Sequence, residues 1–75
     1  MWKLSDNMIY DPTTTALYEY SERQVDPYAK PGDEWYGKTE KVVWISRSAE
    51  AASTSVAGAE ADVLWQYLEA NSLVR

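Results

Sequence analysis

The chain predicts a small α+β domain: a three-stranded, mainly antiparallel sheet with one C-terminal helix packed on one face. Three observations predict it. The run Thr39-Glu40-Lys41-Val42-Val43-Trp44-Ile45-Ser46-Arg47 sets consecutive β-formers between charged and polar ends. Two segments rich in aromatic and β-branched residues flank the turn signal Asp11-Pro12. Near the C-terminus, Ala57, Ala61, Leu64 and Leu68 recur at helical spacing.

Taken in order, residues 3–10 and 14–21 predict the two strands of a hairpin spanning 3–21. Asp at the first and Pro at the second position match a type I turn. A competing reading makes Asp11 an N-cap and Pro12 the first residue of a helix running to Gln24. Three adjacent threonines and two tyrosines lower helix propensity and favour strands. Residues 22–38 predict an irregular loop punctuated by Asp26-Pro27, Lys30-Pro31-Gly32-Asp33 and Gly37. A loop that long in so small a domain signals function or disorder, and Tyr28, Trp35 and Tyr36 are not a disordered composition. The strand at 39–47 follows, with Trp44 the heaviest side chain on one of its faces. An Ala/Ser-rich connector over 48–55 leads to a helix over 56–71, with Ser55 as N-cap, Glu60 and Asp62 near the positive end, and Asn71 closing it. Trp65 borders the apolar stripe, and Val63 and Tyr67 lie on an adjacent flank. One helix covers one sheet face, so the other face is left for solvent or a partner.

Composition narrows the function classes. A chain of 75 residues buries only about 60–65% of its unfolded surface, and such thin cores are usually reinforced. With no cysteine there is no disulfide, thiolate nucleophile or Cys-type zinc site; with no histidine the commonest general base and metal ligand are missing. Of the usual reinforcements, a partner is the one left. Ser-x-x-Lys does not occur, so no lysine-activated serine is indicated. Asp33-Glu34 and Glu60-x-Asp62 are the nearest paired acids, and neighbours at those spacings do not converge on one point. In Asp26–Glu34, Pro27 and Pro31 break the ligand spacing of a calcium loop, and Gly32, Gly37 and Gly58 form no phosphate-binding fingerprint. The chain therefore reads as a binding protein rather than an enzyme, with no metal and no cofactor.

Twelve acidic residues against seven basic ones give a net charge of −5. That balance opposes binding to a phosphate backbone and favours basic protein surfaces, although acidity also serves solubility. Four Trp and six Tyr with no Phe weight the aromatics toward those with a polar handle, which are enriched at interfaces. The first residues, Met1 to Asp6, lack a long apolar stretch, and the longest apolar run is Val42 to Ile45. Neither suggests a membrane, and the expected location is the cytoplasm, a host's if the chain is viral.

The sharpest candidate site is Tyr28, Trp35 and Tyr36 with Asp33 and Glu34: aromatics on a turn-rich loop with an acidic rim, suited to a groove edged by Lys or Arg. Trp35 fits equally well as a plug at the edge of the core. Tyr18 and Tyr20 share one strand face, and if Leu17 points to the helix they form an exposed aromatic surface with Trp2 or Tyr10. Exposed aromatics on a sheet suit base stacking, but the basic surround is missing, so direct nucleic-acid binding ranks low. The hairpin or the 39–47 strand is a further candidate for edge pairing, with Lys38 and Lys41 as residues that blunt it.

In size, acidity and Trp/Tyr weighting the chain resembles small phage-encoded proteins that disable host machinery. The resemblance is one of type and no motif is matched, so no residue's role is carried over. It implies an inhibitor or modulator occupying a basic surface of a nucleic-acid enzyme, such as RNA polymerase or a nuclease effector. The alternative is a structural subunit of a virion or larger assembly.

Overall fold

In the computed structural model, which describes residues 1–74, strands β1 (Trp2–Ser5) and β2 (Met8–Asp11) pair antiparallel around Asp6-Asn7. The segment 3–10, expected as one strand, is thus itself a hairpin. Asp and Asn side chains favour turns because they bond nearby backbone. Here the Ser5 hydroxyl donates to Asn7 Oδ1 at 2.9 Å and accepts from the Asn7 N–H at 3.4 Å. A register shift between Lys3 and Ser5 absorbs one residue of β1.

Strand β3 (Ala16–Gln24) follows, then β4 (Thr39–Arg47), β5 (Thr54–Ala57), helix α1 (Ala59–Ala70) and the two-residue strand β6 (Leu73–Val74). The sheet order is β5-β4-β3-β2-β1-β6. The first five strands are antiparallel to their neighbours, and β6 lies parallel to β1. The α+β class therefore stands with a corrected sheet: five antiparallel strands and a short parallel addition, not three strands. Two features account for the difference. The 3–10 segment folds back on itself, and the expected connector and helix start contain β5, whose Thr54 to Ala57 pair with Ile45 to Val42. Zipping four residues onto β4 satisfies backbone groups that a solvated Ala/Ser linker would leave to water.

Gly58 makes the change from strand to helix. Its φ of 70° lies in the left-handed region, which glycine enters without steric cost, and its N–H donates to the Lys41 carbonyl at 2.8 Å. No side chain caps the helix, so Ser55, expected as N-cap, is instead a strand residue. Glu60 and Asp62 place negative charge in the first turn, and at the far end the Asn71 side-chain amide donates to the Tyr67 carbonyl at 2.8 Å.

The helix buries Ala61, Trp65 and Leu68 against Ile9 and Val43, with Met1, Tyr18, Tyr20, Ile45 and Leu64 closing around them. Cross-strand partners share a face, so this side carries Ile9, Tyr18, Ile45 and Thr54 in one row and Tyr20, Val43 and Val56 in the next. The β3–β4 pair runs unbroken from Ala16↔Arg47 to Gln24↔Thr39 and carries its connecting loop away from the helix layer. The molecule measures 46 × 27 × 18 Å, and its radius of gyration of 14.3 Å exceeds the ~11 Å of a rounded chain of this length.

The β2–β3 turn combines an anchored aspartate with a strained threonine. Asp11 accepts from the Thr13 N–H at 2.9 Å and from the Thr14 hydroxyl at 3.0 Å, and the Thr13 bond holds its carboxyl below the ordinary 3.8. Thr15 sits at φ 57°, where a β-branched side chain costs roughly 1–2 kcal/mol. Thr15→Gly is expected to raise the melting temperature by about 2–6 °C, read by circular dichroism. A decrease would show that the bond from the Ser48 hydroxyl to Thr15 Oγ1, 2.8 Å, outweighs the strain.

Candidate interaction site

At the distal end of the β3–β4 hairpin, residues 25–38 form a chain of locked turns. The Val25 N–H donates to the Lys38 carbonyl at 3.0 Å and closes the loop at its base. Asp26 then accepts twice, at its carbonyl from the Ala29 N–H at 3.2 Å and at its carboxylate from the Tyr28 N–H at 3.0 Å, bracketing Pro27. In Lys30-Pro31-Gly32-Asp33, Pro31 supplies the fixed φ and Gly32, at φ 99°, the left-handed residue that a type II turn requires. The Asp33 N–H donates to the Lys30 carbonyl at 2.9 Å, and the Lys30 N–H donates back to Asp33 Oδ2 at 2.9 Å. Bonds from Tyr36 N–H to the Asp33 carbonyl and from Lys38 N–H to the Trp35 carbonyl, both 3.2 Å, complete the series.

On this ordered frame the aromatics face solvent. Tyr28 is 88% exposed, Tyr36 54% and Trp35 48%. Trp35 therefore does not plug the core; its ring lies 5.2 Å from Lys38 Nζ, at the distance of a cation–π contact. The loop acids divide by role. Asp26 and Asp33 hold backbone, while Glu34 carries no ion pair among the described residues. Lys30 and Lys38 sit among these three acids, so the loop itself is only mildly acidic. Elsewhere Lys3, Arg23, Lys41 and Arg47 are taken up by Glu69, Glu40, Glu22 and Glu50, which leaves the acidic excess on residues such as Asp6, Asp11, Glu19, Glu60 and Asp62.

Tyr18 and Tyr20 lie elsewhere. Both turn toward the helix, correcting the expectation that they occupy the uncovered face. The Tyr20 ring stacks on Trp65 at 5.1 Å between centroids and 7° between planes, and its hydroxyl donates to Asp62. A helix lies above this row because Trp65, Ala61 and Leu68 need a hydrophobic floor, which Tyr20, Val43 and Ile9 supply. Leu17 is left on the opposite side. The hydrogen bond to Asp62 raises the Tyr20 pKa from 10.0 to about 12, because ionising the phenol would set two negative charges together. A raised folded-state value means stability that is fully present below pH 10 and lost as pH rises toward 12. Denaturant titrations of the native chain and of Tyr20→Phe are expected to show a native advantage at pH 9 that shrinks by pH 12. A constant gap would mean that the hydroxyl is not bonded to Asp62.

The helix-free face carries aromatics after all, but different ones. Register aligns Leu73, Trp2, Tyr10, Leu17 and Ser46 in one row, and Met8, Glu19, Trp44 and Ser55 in the next. Trp2 and Tyr10 contact at 6.2 Å with a 40° tilt. Val42 is fully buried on this face, between Ser21 and Ala57 across the strands and Trp44 and Glu40 along its own. The 39–47 strand is paired by β3 along its whole length and by β5 over Val42–Ile45, and the Gly58 N–H takes the Lys41 carbonyl, so Lys41 is not an edge blocker. The outermost strands are β5 and the two-residue β6, and β3 past Tyr20 also has a strand on one side only.

A second apolar feature was only half legible in the sequence. Between the outer flank of α1 and β5 runs a groove of about 600 Å³, lined by Val56, Ala59, Glu60, Val63, Leu64 and Tyr67. The Val63–Tyr67 flank follows from helical spacing, whereas its floor, Val56, depends on β5, which local pattern does not reveal.

Among the described residues no three Asp or Glu side chains converge as a metal site would require, and no helix is long and apolar enough to cross a membrane. Comparison with protein-family models, with curated proteins and with solved structures finds no match.

Proposed function

We propose that this chain is a protein-binding regulator that inserts its hairpin loop into a groove on a basic protein surface. One observation carries the reading: a turn-locked loop, projected from the sheet, holds Tyr28, Trp35 and Tyr36 out to solvent. A loop backbone fixed before binding loses little conformational entropy on docking, which lets its aromatics reach high affinity from a small area. Glu34 supplies the free charge at the tip, and the net charge of −5 steers approach to a positive partner. Basic grooves are typical of enzymes that hold nucleic acid, because phosphates require clustered Lys and Arg. The proposed target is therefore a nucleic-acid enzyme, such as RNA polymerase or a nuclease effector, inhibited or modulated in the phage manner within the host cytoplasm. The protein itself acts without cofactor, metal or catalysis.

The test is an affinity capture from the native lysate at low salt and at about 0.5 M salt, where screening reaches within a few ångströms of a charge. The expected result is one dominant protein with a basic surface that is released by salt and not captured by Trp35→Ala/Tyr36→Ala. Capture that ignores both salt and the loop variant would sink the proposal. The alternative reading, a structural subunit of a virion or larger assembly, is favoured by the apolar groove beside the open β5 edge.

A further inference from the structure

We infer that the outer edge of β5 and the flank of α1 beside it form a two-fold surface that takes a second copy of this chain. The inference does not rest on the loop. It starts from the asymmetry of the sheet's two outermost strands, since the open stretch of β3 past Tyr20 is blunted by the charged Glu22 and Arg23. One edge is β6, only two residues long, and short edges are poor templates. The other, β5, is Thr54-Ser55-Val56-Ala57, with no charge, no proline and an unbroken register against β4. Neither charge, proline nor a bulge blunts it, and its four residues are twice the length of β6.

Backbone parity states which groups β5 offers. The Gly58 N–H donates to the Lys41 carbonyl, so Gly58 and Val56 direct their backbone polar groups inward to β4. Ser55 and Ala57 then direct theirs outward. A two-fold axis perpendicular to the sheet at Val56 pairs Ser55 with Ala57 of the second copy, and Ala57 with its Ser55. Four backbone hydrogen bonds form, and the two Val56 side chains meet on the helix side, on the floor of the groove. The same axis runs the two α1 helices antiparallel past each other. Val63, 67% exposed, then meets its own copy near the axis. Glu60 lies three residues before Val63 and Tyr67, 62% exposed, four after, so antiparallel helices bring Glu60 beside the second copy's Tyr67. A tyrosine hydroxyl donates well to a carboxylate, and the groove's one charged side chain thereby gains a partner.

A second copy fits better than a basic partner. The groove lining is otherwise Val56, Ala59, Val63, Leu64 and Tyr67, which offers nothing to pair with clustered lysines. The exposed parts of Val63 and Tyr67, the half-buried Val56 and Leu64, and the strand edge together cover on the order of 400–500 Å² per copy, below the ~800 Å² per partner of a standard interface and in the range of weak, transient contacts. The dimer is accordingly weak, with a Kd on the order of 10–100 μM. Two copies of charge −5 repel, so added salt tightens this contact. That is the opposite sign from the one expected of a basic partner.

The experiment is sedimentation velocity on the full chain from about 10 μM to about 1 mM, in about 50 and about 500 mM NaCl. The expected result is a species of twice the 8.6 kDa chain mass whose share grows with concentration and with salt. Val63→Glu, on an exposed position, is expected to raise the Kd at least about tenfold at unchanged melting temperature. Ser55→Pro removes only an outward N–H and is expected to do the same. Trp35→Ala/Tyr36→Ala is expected to keep the dimer. A monomer throughout, a dimer that both edge variants leave intact, or one lost in the loop variant would each overturn the inference. Loss of the dimer with lysate capture retained, or the reverse, separates this inference from the proposed function.

Discussion

Trp65→Ala is expected to leave the chain largely unfolded at 25 °C. Trp65 is 4% exposed and lies between Ala61 and Leu68 on the buried stripe, with Tyr20 stacked across its ring. Truncating a buried Trp to Ala costs about 3–5 kcal/mol through lost transfer energy and the cavity left behind. Small domains have little more than that in total, and this core has few members to redistribute the loss. The cavity would also remove the stacking partner of Tyr20 and loosen the geometry of its bond to Asp62. Far-UV circular dichroism and a thermal scan check it. The expected result is loss of the helix signal, or a melting temperature lowered by about 15–30 °C. A drop under about 5 °C would mean that α1 is held chiefly by other contacts. The Val63–Tyr67 flank gives the internal comparison, since Val63→Ala removes side chain that is mostly in water and is expected to shift stability by less than about 0.5 kcal/mol.

Trp35→Ala/Tyr36→Ala is expected to separate binding from folding. Both rings are about half exposed, and the backbone bonds of residues 25–38 run through Asp26, Lys30 and Asp33 rather than through either ring. The native state should lose about 1 kcal/mol or less, chiefly the contact of Trp35 with Lys38. Docking into a partner groove would lose two anchors worth about 2–4 kcal/mol together, a 30- to 1000-fold rise in Kd. Calorimetry against the captured partner and a thermal scan read the two quantities on one preparation. Equal losses in both would return these residues to a structural role. Tyr28→Ala refines the result: at 88% exposure it has almost nothing to lose on folding.

Much of the secondary structure was legible because it is local. Val42, Val43 and Ile45 force an extended backbone wherever they fall, and β4 runs over Thr39–Arg47. Spacing places Ala61, Leu64 and Leu68 on one helical stripe whatever lies beneath. The misses also have local causes. Asp6-Asn7 is a weaker turn signal than the Asp11-Pro12 that follows it, so two short strands looked like one. Thr54 to Ala57 is too short and too small in side chain to announce itself as β; it becomes a strand by pairing with β4. The loop candidates Tyr28, Trp35 and Tyr36 were readable because Pro and Gly mark an irregular backbone, which runs at the surface where water can satisfy its polar groups. The groove was not, because one wall is a helix flank and the other an unannounced strand.

The sequence by itself determined the absence of cysteine and histidine, the sign of the charge, the loop aromatics, and the alternation that sets Tyr18 and Tyr20 together on one face and Leu17 on the other. Alternation divides a strand into two faces but cannot say which one is covered. That choice belongs to the tertiary structure. Trp65 stacks on Tyr20, Ala61 and Leu68 close over Val43 and Ile9, and the face carrying Trp2, Tyr10 and Trp44 is left without a helix. The physical reason is that a strand's local energy is nearly the same either way up. The difference comes from apolar area buried between residues far apart in the chain, and it exists only once the helix has docked.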